Sequence, residues 1–287
     1  MILIVDSGST KCDWIAVDQN GKQCFEKVRT KGLNPAILSD KKLKKNIKES
    51  ALLMQHKKEI TNIFFYGAGC GTENPRKLLK MVLQSVFKKA NIEVQEDTMA
   101  AVRATLNTKN EAAIVCILGT GSNCSYFDGE KLHQKVDSLG YIIMDDASGN
   151  YYGKQLLRDY YFNHMPKNIR ADFESKYNLE ADFIKYKLYK KPNPNAYLAS
   201  FAEFLFLNKE SKYISKIIKK GIKIFTKNMI FQHADVLKQV PVHFAGSIAY
   251  FAQDEIKAVA KKYGFKVGNF EQRPIEGLVK YHVNNLV

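Results

Sequence analysis

The stretch 112–131, A-A-I-V-C-I-L-G-T-G-S-N-C-S-Y-F-D-G-E-K, constrains the fold more than any other. An apolar run of strand length breaks abruptly into Gly119-Thr120-Gly121-Ser122-Asn123, which reads as a buried strand feeding a phosphate-sized turn. A second strand follows at 124–127, and Asp128-Gly129 closes it as the dipeptide that favours a type I′ hairpin. The same pattern opens the chain: residues 2–5 are apolar, Asp6-Ser7-Gly8-Ser9-Thr10 is the small polar tip, 14–17 runs back, and Asn20-Gly21 turns again. Placing Gly8 on Gly121 gives a period of 113 residues, too long for a solenoid and right for a duplicated domain. Two ordinary hairpins in an α/β protein fit the same residues, since Gly and Ser make turns everywhere.

At 287 residues, 45% of them apolar, the chain suits two domains, each with its own core. The longest apolar run, 112–118, is far short of a membrane span, and Met1 leads straight into a strand, so a soluble cytoplasmic protein is expected. The five cysteines, Cys12, Cys24, Cys70, Cys116 and Cys124, lack C-x-x-C or His-paired spacing, which argues for reduced thiols rather than a disulfide framework or structural zinc. A formal charge of +15 invites a nucleic-acid reading, yet the excess is scattered Lys on presumed helix faces, with only six Arg. Neither a nucleic-acid nor a membrane partner is expected.

Asp6 stands at the carboxyl end of the first strand, where α/β sheets present ligand-binding groups. A carboxylate beside such a turn can hold Mg²⁺ through water while backbone N–H groups and Thr10 meet phosphate oxygens, or it can merely cap the turn. A strand at 24–29 precedes a loop at 30–35 in which Asn34 either bonds a ligand hydroxyl or begins the turn at Pro35. A basic amphipathic helix is expected at 41–56, and Asn74-Pro75 reads as N-cap and first residue of the next helix. After a short strand at 92–94, Asp97 sits where an N-cap for a helix at 99–106 would sit. That is also where a general base for an alcohol nucleophile would stand. Residues 154–239 read as mostly helical; 240–244 is a strand running into Ala245-Gly246-Ser247 and a helix at 248–263, and 274–283 is a closing helix.

Taken together, D-S-G-S-T-K at 6–11, G-T-G-S-N at 119–123, the intervening Asp97, F-A-G-S at 244–247 and R-P-I-E-G-L-V-K-Y at 273–281 resemble the N-acetylglucosamine kinase and BadF-type ATPase family. The resemblance covers essentially the whole chain and implies an α/β fold of two ribonuclease-H-like, actin-like ATPase domains with an interdomain cleft closing on ATP. The expected domains are 1–110 and 111–287, with the closing helix able to pack back on the first. By resemblance, Asp6 positions Mg²⁺ through water. Ser9, Thr10, Lys11, Gly119, Thr120 and Gly121 cradle the phosphates, while Gly221, Gly246 and Ser247 line the adenosine pocket. Asp97 is the base on the sugar hydroxyl, and Asn34, Asn123 and Asp145 hold the sugar. The implied activity is ATP-dependent phosphorylation of an N-acetylated amino sugar, most simply N-acetylglucosamine to its 6-phosphate, with room for a homodimer.

Where relatives carry G-D-E-G-S-G, this chain has Met144-Asp145-Asp146-Ala147-Ser148-Gly149, and Leu139 falls where some relatives place a Trp against the sugar. The loop is expected to take an ordinary L-residue conformation that still aims Asp145 at the sugar. Two other functions compete. An ATPase that activates a dehydratase through an iron–sulfur cluster needs paired thiolates, and only Cys70 lies in a suggestive Gly-rich loop. A non-catalytic sugar or nucleotide sensor would bind without turnover.

Overall fold

The computed structural model describes residues 1–8, 11–106, 108 and 110–285, which leaves Ser9 and Thr10 of the first tip outside the described residues. The chain divides into two compact units, Met1–Lys109 with Arg273–Val287, and Asn110–Gln272. The closing helix, Pro274–Asn284, belongs to the first unit.

In the first unit, β1 (Ile2–Ser7), β2 (Lys11–Val17), β3 (Val28–Lys31), β4 (Asn62–Gly67) and β5 (Asn91–Glu96) form one sheet in the order β3-β2-β1-β4-β5. β1 runs antiparallel to β2 and parallel to β4, and β5 runs parallel to β4. Helices α1 (Asp40–Lys48), α2 (Ala51–His56), α3 (Glu73–Val86) and α4 (Asp97–Thr105) fill the connections. Leu3 and Val5 pack with Leu43, Ile47, Leu79 and Leu83, whereas Ile2 and Ile4 pack with Ala100, Ile275 and Leu278. Burial on both faces is why β1 reads as a continuous apolar run. The closing helix is fastened to this sheet by His282, which stacks on Phe64 at 3.7 Å and meets Tyr66 Oη at 2.7 Å. Arg103 donates to the same Tyr66 oxygen and to Glu93, each at 2.7 Å. Burial, and next the Arg103 charge, push the His282 imidazole down to about 4.

In the second unit, β6 (Ala113–Leu118), β7 (Ser122–Phe127), β8 (Leu132–His133), β9 (Val242–Ala245) and β10 (Val267–Glu271) repeat that order as β8-β7-β6-β9-β10, again with an antiparallel hairpin and two parallel strands. Between β8 and β9 come α5 (Gly149–Tyr161), α6 (Lys167–Lys176), α7 (Ala181–Tyr189), α8 (Pro194–Ala199), α9 (Glu203–Leu207) and α10 (Lys212–Asn228). α11 (Ser247–Phe251) and α12 (Gln253–Tyr263) join β9 to β10.

The duplication is present, but its register differs from the one expected. β1 and β6 share one burial pattern over Ile2–Ser7 and Ala113–Leu118, an offset of 111 residues that puts Gly8 on Gly119 and Asp6 on Ile117. Matching Gly8 to Gly121 follows residue identity; the strand ends, Ser7 and Leu118, set the equivalence, and the two-residue difference leaves every side chain on the same face of the pleat.

Several local expectations also shift. The 41–56 helix is two helices, because the Ser50 side chain accepts from Leu53 N–H and starts a new one. Thr72, not Asn74, is the N-cap of α3, and Pro75 falls in its first turn, where a missing N–H costs nothing. Glu96, not Asp97, occupies the N-cap of α4. The 24–29 strand is β3, shifted to Val28–Lys31, and the 248–263 helix breaks into α11 and α12. Gly129 takes φ 105° but Asp128 does not take positive φ; Asp128 Oδ1 accepts from Glu130 and Lys131 N–H in an Asx-type turn rather than a type I′ one.

Candidate active site

The first unit gathers acids at the carboxyl ends of its parallel strands. Asp6 is the penultimate residue of β1, Glu96 ends β5, and Asp97 opens α4 directly after it. The Asp6 carboxyl receives no hydrogen bond from the described residues and is pushed up to about 6 by burial first and by the charges of Asp13 and Asp97 next. Burial likewise raises Asp97 above the ordinary carboxylate range, although its Oδ1 accepts from Thr98 N–H at 3.0 Å. Glu96 is raised by burial and then by the Asp97 charge. Asp13, the cross-strand partner of Asp6, behaves oppositely. Arg29 at 2.6 Å and Lys27 at 2.9 Å outweigh its burial and hold its carboxyl low. The exposed Lys11 acts on Asp6 only as a more distant positive charge.

Asp6 and Asp97 are therefore short of positive charge. A hard-oxygen donor in that state fits a divalent cation held through water, and Asp97, with its raised proton affinity, fits a proton acceptor. Among the described residues no group of three or more His, Cys, Asp or Glu side chains could hold a metal directly.

Two other polar groups of this unit, Ser7 and the predicted Asn34, have structural partners. Ser7 is buried, and its Oγ accepts from Leu33 N–H at 2.9 Å. Asn34 Oδ1 accepts from Ala36 N–H at 2.9 Å, the turn-starting alternative, and faces Gly69, whose φ of +79° leaves no room for a Cβ against it. Cys70 is buried in this Gly-rich loop, and burial pushes its thiol up to about 12, which does not suit a cluster ligand.

In the second unit the tip Gly119-Thr120-Gly121 is pinned from behind. Gly119 and Thr120 carbonyls accept from the N–H groups of Gly149 at 2.7 Å and Asn150 at 3.1 Å, and Asn150 Nδ2 donates to Thr120 O at 2.7 Å. With both carbonyls turned inward, the N–H groups of Thr120 and Gly121 have no partner among the described residues. That is the arrangement of an anion-binding nest. Gly246, with φ 106°, passes so close to Leu118 O that a Cβ would sit 2.4 Å from it, so its turn lies beside Gly119. Ser247, exposed, opens the helix that follows.

Asp145 is not free of structural contacts. Its Oδ1 accepts from Ser122 N–H at 3.1 Å and its Oδ2 from Asn150 Nδ2 at 2.9 Å, so the carboxylate clamps the tip. The loop is not in an ordinary L-residue conformation either: Asp145 at φ 66° and Ala147 at φ 57° both lie in the left-handed region. Asn123 Oδ1 accepts from Gln134 Nε2 at 3.3 Å. Gly221 lies inside α10 against the Tyr152 hydroxyl, 2.6 Å from where its Cβ would be, which is close packing in the core. Asn150, buried and with no partner for its Oδ1, is the residue that sequence reasoning missed; its only signal was an Asn directly after Ser148-Gly149 at a helix start. Volume does not locate the site: a groove of about 710 Å³ runs along the lysine face of α10 with no residue of the second tip in its lining, while one of about 400 Å³ adjoins Ser122 and Asp145.

The profile of the BadF/BadG/BcrA/BcrD ATPase family matches residues 5–272. The chain belongs to this ATPase family. A family member so defined should present nucleotide-binding tips, and the two described above stand at equivalent places in two ribonuclease-H-like, actin-like sheets. A solved structure from Porphyromonas gingivalis, described provisionally as an N-acetylglucosamine kinase, is 33% identical over 100% of both chains with a TM-score of 0.89. One from Chromobacterium violaceum with the same provisional description is 12% identical over 98% of each chain, at a TM-score of 0.68. A ROK family glucokinase from Streptomyces griseus, solved with glucose and AMPPNP, is 14% identical over 98% of this chain and 97% of its own, at 0.57. The last two share the fold alone. Among curated proteins no sequence matches. Among the described residues no helix is long and apolar enough to cross a membrane.

Proposed function

We propose that the chain is an ATP-dependent kinase that transfers a phosphoryl group to a hydroxyl of an N-acetylated amino sugar, most simply N-acetylglucosamine to its 6-phosphate. The full-length relative at 33% identity carries the reading of the substrate class. Asp97 gives it a mechanism: a buried carboxylate of raised proton affinity at the carboxyl end of β5.

Asp97 takes the proton of the attacking sugar hydroxyl as its oxygen bonds to the γ-phosphorus of ATP and the bond to the bridging oxygen breaks, releasing ADP. A carboxyl nearer to neutrality accepts that proton better than an ordinary one. Asp6 holds Mg²⁺ through water, and the ion when bound supplies positive charge against the phosphate oxygens. The N–H groups of Thr120 and Gly121 receive phosphate oxygens, with Asn150 and Asp145 keeping the tip rigid so that no binding energy is lost in ordering it. Thr10, Ser9 and Lys11 contribute from the first tip, and Gly246 and Ser247 border the adenosine. Asn34 and Asn123 remain the candidates for the sugar hydroxyls and amide.

A coupled ATP-turnover screen over N-acetylglucosamine, N-acetylmannosamine, N-acetylmuramate, glucosamine and glucose tests the reading. Turnover with an acetylated sugar and little with glucosamine is the expected result. Nucleotide hydrolysis that no sugar stimulates would overturn it.

A further inference from the structure

The hairpin that carries the second tip holds a pair of groups the proposed reaction does not use. Cys116 on β6 and Cys124 on β7 are direct register partners, and both are buried. Cys116 Sγ donates to Cys124 Sγ at 3.5 Å. Directly opposed residues of an antiparallel pair stand about 4.5–5.5 Å apart at Cα, inside the range a disulfide spans. A third group completes the cluster: His233, buried, reaches Cys124 with its ring and has no partner for Nδ1 among the described residues.

The chemistry of the two sulfurs is asymmetric. Burial opposes ionisation of both, but at Cys124 the Cys116 S–H and the His233 imidazole outweigh it and favour the thiolate. At Cys116 burial and the facing Cys124 sulfur act together to hold the proton on. One sulfur is thus prepared to attack and the other to resolve. The remaining cysteines offer no such pair: Cys12 and Cys70 are buried with raised thiols, and Cys24 is exposed.

We propose that Cys116 and Cys124 form a dithiol site that hydrogen peroxide converts to a cross-strand disulfide, locking the hairpin beneath the 119–121 tip. His233 accepts the Cys124 proton as the thiolate forms. The thiolate attacks one peroxide oxygen, the O–O bond breaks, and Cys124 becomes a sulfenic acid while the departing hydroxide takes up that proton as water. Cys116 sulfur then attacks Cys124 sulfur; the S–S bond forms, the S–O bond breaks, and a second water leaves with the Cys116 proton. Two thiols are oxidised to one disulfide, and one peroxide is reduced to two waters. The site depends on Cys116, Cys124 and His233, none of which the kinase reading uses, so it stands whether or not that reading does.

The test uses the full chain with Cys24→Ser, which removes the exposed thiol and with it intermolecular coupling. After peroxide under native conditions and alkylation of free thiols, mass mapping should find peptides bearing residues 116 and 124 linked, about 2 Da lighter than reduced. Dithiothreitol should reverse the link, Cys124→Ser should abolish it, and His233→Asn should slow its formation on the order of tenfold while leaving its end point unchanged. A protein whose Cys116 and Cys124 both remain alkylatable on denaturation after prolonged peroxide overturns the proposal. So does a link whose rate rises with urea in step with global unfolding, since that would place the reaction in the unfolded chain.

Discussion

The two hairpins are built on one frame and differ in what they do with charge. β1 and β6 have the same length and the same inward-facing positions, yet Asp6 in the first corresponds to Ile117 in the second. At the first tip the carboxylates are under-compensated: Asp6, Glu96 and Asp97 are all raised. At the second, both Asp145 oxygens are spent on Ser122 and Asn150, holding the tip's own backbone. Duplication thus supplied the positioning of two anion-binding turns, while reactive acids exist at only one of them. The first unit keeps its electrostatic strain available for a cation and a proton. The second converts its acid into rigidity.

The largest expected effect follows from that division. If the reactive acid lies only in the first unit, Asp97→Asn should lower kcat for sugar phosphorylation by roughly 10²–10⁴-fold, the range for loss of a general base. The fold should hardly change, because Glu96 is the N-cap and an amide oxygen can still accept from Thr98 N–H. Near-normal turnover in a folded Asp97→Asn variant would erase the contrast between the tips.

At the second tip the expected losses are of order and affinity rather than chemistry. Asp145→Ala removes two hydrogen bonds to a charged acceptor, about 1.5–3 kcal/mol each at most, and should lower ATP affinity more than it raises KM for the sugar. Gly121→Ala should act in the same way, because its Cβ would stand 2.8 Å from Asp145 Oδ2. Gly8→Ala and Gly119→Ala are the controls: among the described residues a Cβ at Gly8 meets only Lys11 O at 3.8 Å, and at Gly119 nothing within 4 Å. Thermal melts should therefore separate Gly121→Ala from the other two. Equal melting of all three would mean that the clamp contributes nothing.

Much of this was legible in the sequence, and the parts that were not share a cause. The two hairpins, the apolar strands and the acids at strand ends are local patterns, so 112–118 and Asp6 could be read directly. The repeat register escapes the sequence because Gly8 and Gly121 match as letters, whereas equivalence is set by where β1 and β6 end, at Ser7 and Leu118. The clamp made by Asp145 is illegible for a related reason. Its ligands are Ser122 N–H, 23 positions away, and Asn150, a contact no periodicity encodes. The break at Ser50 was present as an N-cap letter but was overridden by a lysine-rich amphipathic pattern running through it.

The next effect concerns the first tip and pH. Burial, Asp13 and Asp97 raise Asp6 from 3.8 to about 6, so the native state binds this proton more tightly than the unfolded chain does. Its contribution to stability is then full below about pH 4 and is lost as pH rises through about 6. Above that the ionised group costs roughly 1–3 kcal/mol. Asp6→Asn should accordingly raise the urea midpoint at pH 7.5, do much less at pH 4, and abolish ATP turnover. Millimolar Mg²⁺ should raise the wild-type midpoint at pH 7.5 and leave that of the variant unchanged. A variant less stable than wild type at pH 7.5 would show that Asp6 is compensated after all, and the two tips would be electrostatically alike.

The smallest effect is expected at the loop behind the second tip. Ala147 is fully buried at φ 57°, a conformation that costs an L-residue about 1–2 kcal/mol. Glycine would relieve that strain, but it gives up about 0.8 kcal/mol of methyl burial and about 0.5–1 kcal/mol of backbone entropy. The terms nearly cancel, so Ala147→Gly should move stability by less than about 1 kcal/mol. Turnover should follow stability here, because the left-handed angles a glycine would permit are already adopted and the Asp145 bonds to Ser122 and Asn150 are already made. A change in turnover below about threefold is therefore expected, far less than for Asp145→Ala. A gain on the order of 10²-fold, the scale that restored positioning supplies, would mean that the loop as it stands holds Asp145 out of place. The second tip would then be an impaired partner of the first rather than its rigid counterpart.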